Sequence, residues 1–290
     1  MASRQQIKRR IGSVKSTRQI TRAMQLVAAS KLRRAQEAVL GPREYSRVAR
    51  EMLTVLRKLS AHEAVSPLFD ERPVKNRLII VVSSDRGLAG AYDSNVLRRL
   101  FQELQKDKAE GIKSSVICIG RKATQSVARV AGLNVLAAYQ DFPDHPEASQ
   151  LRPILNTVFE AFNTEEVDAI DILYTHFNST VSQNIALQRL LPAGFEEEAG
   201  NPEMEYAEVE PSLEELVRST VVRLLEVQIY QARLDSVAAE YSMRMIAMKN
   251  ATDNAGDLID DLTLEYNNAR QAAITQELAE ITGGAEALNG

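Results

Sequence analysis

From Leu224 onward the chain repeats in alternating steps of three and four: Leu224, Val227, Gln231, Leu234, Ala238, Tyr241, Met245, Met248, Thr252, Ala255, Ile259, Leu262, Tyr266, Ala269, Ala273 and Gln276. Thirteen of these sixteen positions are apolar. A 3.5-residue period held over more than seven heptads dictates a helix with one continuous apolar seam and a left-handed supercoil around whatever covers it. No proline follows Pro211, and Ser212 with Glu215 has the pattern of a capping box at the helix start. A helix from 212 to about 282 is roughly 105 Å long at 1.5 Å per residue. A domain of about 115 residues is only some 30 Å across, so this helix must project far beyond such a domain and needs a partner.

Charge indicates which partner. The first 36 residues, "MASRQQIKRRIGSVKSTRQITRAMQLVAASKLRRAQ", hold ten Lys or Arg and no acid, although the chain as a whole carries a formal charge of −4. From Asn250 to the C-terminus there are eight acids and a single base, Arg270. Opposite charges beside an apolar seam favour pairing of the two ends of the chain. The basic arm is itself helical in pattern, with no proline before Pro42 and apolar residues at Ile7, Ile11 and Val14. Its stripe then changes register to Ile20, Met24 and Val27, and again to Leu32, Ala35 and Val39. Such a drifting face is expected to touch more than one surface. "LGPRE" at 40–44 is expected to kink or break the helix, and a second helical run, "REYSRVAREMLTVLRKLSAH", continues to about residue 62.

Between these ends the texture differs. "RLIIVVSSD" is a continuous β-branched run, the pattern of a strand buried on both faces. After the loop "SDRGLAGAYD" comes a helix, "SNVLRRLFQELQKD". The unit repeats with "KSSVICIG" and "RKATQSVARVAG", followed by a short "NVLAAY", the helix "QLRPILNTVFEAFN" and the strands "AIDILYTHFNS" and "TVSQNIALQRLL". Alternating strands and helices predict a mostly parallel, Rossmann-like α/β layer. The expected organisation is N-terminal coiled-coil helices over 1–62, an α/β foot over 75–192, an acidic linker over 193–211 with seven glutamates, and a C-terminal coiled-coil helix over 212–290. With the α/β domain inserted between them, the end helices must run antiparallel. The longer C-terminal one should overshoot residue 1 as a lone tip of roughly 20 Å.

Several function classes find little support. His62, His145 and His176 lack ligand spacing, and Cys118 is the only cysteine, so neither a histidine metal site nor an intramolecular disulfide is expected. No window of 18 uncharged apolar residues spans a membrane. "SDRGLAGAY" sits where phosphates bind in nucleotide folds, but the chain has no G-x-x-x-x-G-K-[ST], no G-x-G-x-x-G and no G-x-S-x-G. The basic arm has the composition of a transit peptide, yet its removal would leave the seam unpaired. A nucleic-acid arm has an electrostatic basis but lacks aromatics interleaved for stacking. On physics alone, a stand-alone coiled-coil adaptor is the runner-up.

Three stretches carry a resemblance that covers essentially the whole chain: "IKRRIGSVKSTRQITRAMQLVAASKLRRAQ", "SSDRGLAGAYDSNV" and "MRMIAMKNATDNAGDLIDDLTLEYNNARQAAITQELAEITGGAEAL". In order and content they resemble the gamma subunits of F-type, proton-translocating ATP synthases, of bacterial type. The resemblance implies a non-catalytic rotor shaft whose coiled coil turns inside a ring of alpha and beta subunits. Its α/β foot would stand on the ring of c subunits and bind epsilon, peripheral to the cytoplasmic side of the cell membrane. Mg-ATP and Mg-ADP would be held by alpha and beta, with no cofactor, metal or nucleic acid on this chain. It further implies that Met24, Arg244, Arg270, Gln271, Thr275, Gln276 and Glu277 meet the stator or help couple rotation to catalysis, and that Tyr206 and Glu208 lie near the foot's membrane-facing edge. The chain lacks the inserted cysteine pair of plant and algal relatives, so a light-linked thiol switch is not expected.

Overall fold

The computed structural model describes residues 4–60, 67–193 and 213–289. The acidic linker, Ser212 of the expected capping box, and Tyr206 and Glu208 lie outside the described residues. The elements are α1 (Arg4–Ser60), a 3-10 turn (Pro67–Phe69), β1 (Asn76–Val82), α2 (Tyr92–Ala109), β2 (Lys113–Ile119), α3 (Arg121–Val127), β3 (Asn134–Tyr139), α4 (Ala148–Asn163), β4 (Ala169–Phe177), β5 (Gln183–Leu191) and α5 (Leu213–Asn289). They form two compact units, residues 1–28 with 244–290, and residues 29–243.

In the larger unit the five strands form one sheet in the order β3-β2-β1-β4-β5. All pair in parallel except β5, which returns antiparallel to β4. The fold class is the mixed α/β layer expected, with long helices at both ends. Leu78 to Val82 have no exposed surface, because β1 is covered on both faces. On one face Leu78, Ile80, Val82, Ile117, Ile119, Ile170 and Ile172 pack with α4, with Ala49, Leu53 and Leu56 of α1, and with Val221 to Ala232 of α5. On the other, Ile79, Val81, Val116, Cys118 and Leu173 meet Val96 and Leu100 of α2 and Ala123 and Val127 of α3.

Two expectations are corrected. Pro42 does not end the first helix, since α1 runs unbroken through it to Ser60. A helical proline costs about 3 kcal/mol, but Ala35 and Val39 before it and Ala49, Leu53 and Leu56 after it are all buried, and their burial outweighs that cost. Nor does α3 reach Gly132. It stops at Val127, its last buried residue, and closes in tight turns.

In the smaller unit α1 contributes residues 4–28 and α5 residues 244–289. The hydroxyls of Thr21 and Thr252 lie 2.8 Å apart, and the Arg18 guanidinium lies over Gly256. Numbers fall along one helix as they rise along the other, so the pair is antiparallel. Ile7, Ala28, Met248, Thr252, Ala255, Ile259 and Leu262 are buried in this unit.

Candidate functional site

In a doubly wound sheet, ligands bind outside the carboxyl ends of the strands where strand order reverses, here between β1 and β4. The chain's own residues fill that position. Seven polar residues of α5 between Gln228 and Ser242 are buried, and several bond to this rim. Arg233 donates to the carbonyls of Phe142 (2.8 Å) and Pro143 (3.1 Å) in the loop after β3. Ser236 stands 3.4 Å from the Thr175 amide near the end of β4, and Ser242 donates to the Thr180 carbonyl at 2.7 Å. Tyr241 donates to Asp144 at 2.7 Å and accepts from Lys31 at 2.8 Å. Burial and then Asp144 hold the Tyr241 phenol above its ordinary pKa, despite the hydrogen bond from Lys31, while that bond raises the Lys31 ammonium. Tyr92, at the start of α2, is fully enclosed, and burial, followed by the charge of Glu240, pushes its phenol well up.

The glycine-bearing loop after β1 is likewise filled from within. Asp93 accepts from the amide (3.0 Å) and the hydroxyl (2.7 Å) of Ser84. Asp85 accepts from the amides of Arg121 (2.9 Å) and Asp141 (3.0 Å). Carboxylates thus occupy amides that would otherwise face a phosphate. Gly120 has φ +106°, and a Cβ there would lie 2.3 Å from the Ser83 carbonyl oxygen, so β2 and the loop approach too closely for any other residue. Among the described residues no cluster of His, Cys, Asp or Glu could hold a metal, and no helix is long and apolar enough to cross a membrane.

The smaller unit is where the surface becomes distinctive. Counting from Ile7 in strict fours and threes gives Ile11, Val14, Arg18, Thr21, Gln25, Ala28, Leu32, Ala35 and Val39. That is the face the structure uses: Ile7, Ala28, Leu32, Ala35 and Val39 are buried, and Ile11, Val14, Thr21 and Gln25 half-buried. The stripe expected through Ile20 and Val27 is therefore not a seam. Ile20 is 60% exposed, Val27 59% and Leu26 63%, on a helix whose Arg4, Lys8, Arg9, Arg10, Lys15 and Arg22 are exposed as well. Sequence reading missed the distinction because the heptad passes through polar Arg18, Thr21 and Gln25; holding the count fixed would have found it.

The predicted site residues fall into three groups. Met24 is half-buried. Arg244 is only 8% exposed, on the buried side of α5. Arg270, Gln271, Thr275, Gln276 and Glu277 are all exposed on the last third of α5. There Thr275 bonds the Gln271 carbonyl (3.0 Å) and Gln276 donates to Glu280 (2.9 Å), both within the helix. Arg270 makes no ion pair among the described residues. Beyond Leu262 no described residue is fully buried, and Leu264, Ile274, Leu278 and Ile281 are exposed. The register explains why: Thr21 faces Thr252 and Arg18 faces Gly256, so α5 beyond about residue 270 has no part of α1 left to meet.

Comparison with known proteins agrees with this arrangement. Residues 3–288 match the ATP synthase family. The chain is 39% identical to the ATP synthase gamma chain of Nitrosomonas eutropha, over 99% of this chain and 100% of the relative. It is 42% identical to that of Geobacter metallireducens, over the full length of both. Among solved structures, a chain of the Tetrahymena thermophila mitochondrial ATP synthase central stalk and c-ring shares the fold, with a TM-score of 0.59 and 23% identity over 80% of this chain and 99% of that one. A family model matched over residues 3–288 and identity of 39–42% over the full length of these relatives lead to one conclusion: the chain belongs to the ATP synthase gamma-chain family.

Proposed function

We propose that this chain is the central rotor shaft of an F-type ATP synthase, carrying rotation driven by proton flow to the catalytic sites of the beta subunits, reversibly with hydrolysis. The observation that carries the reading is the distribution of unpartnered surface on the smaller unit. Apolar side chains at Ile20, Leu26 and Val27 are left uncovered beside a filled seam, and those at Ile274, Leu278 and Ile281 are uncovered on the part of α5 that runs past α1, as a shaft that slides against a surrounding ring requires. A shaft also needs unequal faces, because contacts that were the same in every state would shift none of them. Here one helix is basic and the other acidic, with Arg270 the single base among eight acids from Asn250 onward.

On this reading the chain is a non-catalytic subunit of the ATPase complex. The carboxylate-filled loop and the rim closed by α5 support placing Mg-ATP and Mg-ADP on alpha and beta. The partners are alpha, beta, epsilon and the c ring, with the chain peripheral to the cytoplasmic side of the cell membrane. Arg270 and Gln271, with Thr275, Gln276 and Glu277, meet the stator, and a guanidinium suits an acidic loop that binds and releases. Met24 stands about one turn from the exposed Ile20 and Val27. Arg244, being buried, acts by holding α5 in position. Tyr206 and Glu208 are assigned to the membrane-facing edge of the foot.

A tagged pull-down of this chain from native membranes tests the reading. Recovery of alpha, beta and epsilon with ATPase activity, lost when the last 40 residues are deleted, is the expected result. Recovery of the chain alone, or with nucleic acid released by salt, would favour the adaptor or nucleic-acid alternatives.

A further inference from the structure

We propose that Asp235 is a positioning residue that locks both long helices to the sheet against twisting, so that torque passes between the α/β domain and the shaft without slack. The inference rests on the rotor reading above and adds the route by which load crosses the larger unit.

Asp235 has 1% of its side chain exposed, yet it stands on α5 beside the seam residue Leu234, where an apolar residue would pack at least as well. Its Oδ1 accepts from Nη2 of Arg43 on α1 at 3.0 Å. Its Oδ2 lies 3.1 Å from Nδ1 of His176 on β4 and 3.4 Å from Nε2 of Gln231, one turn earlier on α5. The same Arg43 nitrogen donates to the carbonyl of Phe177, the last residue of β4, at 2.7 Å. A single buried carboxylate therefore joins α5, α1 and the sheet.

Stability does not explain this arrangement, because replacing a buried ion pair by apolar residues of similar volume is often neutral or stabilising. Direction does. Apolar burial is non-directional, so a helix held only by it can rotate slightly about its axis at little cost. Charge-assisted hydrogen bonds are short and angle-dependent, and two of them aimed from one side chain at two other elements, Arg43 of α1 and His176 of β4, oppose rotation in either sense, while Gln231 fixes the carboxylate from within α5. Arg233 and Ser242 tie α5 to the same rim and Tyr241 links that rim to Lys31 of α1, so Asp235 is the centre of a short polar collar and the member whose single carboxylate meets both α1 and β4.

The test uses the complete ATP synthase complex with the catalytic ring fixed to a surface and a rod attached through Val181→Cys, at a turn where the side chain is 89% exposed. Angular fluctuation of the rod in the stalled complex reads torsional compliance, and unloaded ATP hydrolysis reads catalysis. Two variants are compared: Asp235→Asn, and the paired Arg43→Met/Asp235→Leu, which leaves no arginine opposite a lost carboxylate. The expected result in both is an angular variance about twofold larger, as when one of a few comparable polar ties is removed, with unloaded hydrolysis unchanged. Wild-type variance in either assembled variant overturns the proposal, as does failure of both to assemble, which would make Asp235 a folding determinant. A rod that never turns on the unmodified complex would instead sink the rotor reading itself.

Discussion

Arg77 is the most heavily committed side chain in the α/β domain. Its guanidinium meets Asp171 at 2.5 Å, Asp107 at 2.8 Å and Glu103 at 3.2 Å, and Asp171 is shared with Arg189 at 2.5 Å. Burial opposes its charge, but Asp171 and Asp107 more than compensate and raise its pKa. Removing one partner of such a cluster leaves the others buried and unpaired. Arg77→Met should therefore cost about 3–5 kcal/mol, measured by urea denaturation of the full chain. Cys118 makes the opposite kind of prediction. Burial pushes its thiol up to about 12 from 9.0, so the native state holds its proton where the unfolded chain has released it. The contribution is fully present below pH 9 and is lost as pH rises toward 12, at up to about 1.4 kcal/mol per pH unit. The difference in pH dependence between wild type and Cys118→Ala isolates that slope, and iodoacetamide at pH 8 should leave the native thiol unmodified.

Among the elements, the antiparallel pair of the smaller unit is held in register by a polar contact. Thr252 lies 2.8 Å from both the Thr21 hydroxyl and the Met248 carbonyl oxygen, and it is 3% exposed. Thr252→Val alone removes the bond across the pair, leaving the Thr21 hydroxyl only the Arg18 carbonyl at 3.1 Å, and should cost about 1 kcal/mol, whereas Thr21→Val/Thr252→Val should be nearly neutral because both partners become apolar together. Thermal unfolding of the three chains decides this, and a double variant as unstable as the single would show that the threonines do not act as a pair. At this scale legibility was uneven. The strands of the sheet were readable as short apolar runs between turn residues, rich in β-branched residues in β1, β2 and β4. The α1 seam was misread at Ile20 and Val27, since apolarity marks both a seam and a partner-facing patch. The continuity of α1 through Pro42 was hidden because it depends on what packs on either side.

For the whole molecule, the end of α5 adds surface rather than packing. The described side chains after Ala273 are exposed, so a chain ending at Ala273 should unfold within about 0.5 kcal/mol of the intact one, as for surface changes generally. Its recovery of alpha and beta in the pull-down should nevertheless fall, because Ile274, Leu278 and Ile281 go with the deleted segment. Equal recovery would remove the tip from the proposed stator contacts.

The sequence by itself determined helices at both ends of the chain, their antiparallel pairing, the parallel α/β layer between them and the family, because periodicity, charge asymmetry and extended motifs are local properties written along the chain. Only the tertiary structure decided which apolar residues of α1 face inward, that the switch-point crevice is closed by α5, and that Asp235 meets Arg43 and His176. Those contacts join residues 59 and 192 positions apart. No local pattern encodes them, since they exist only once the sheet has set where its rim lies and α5 has been laid across it.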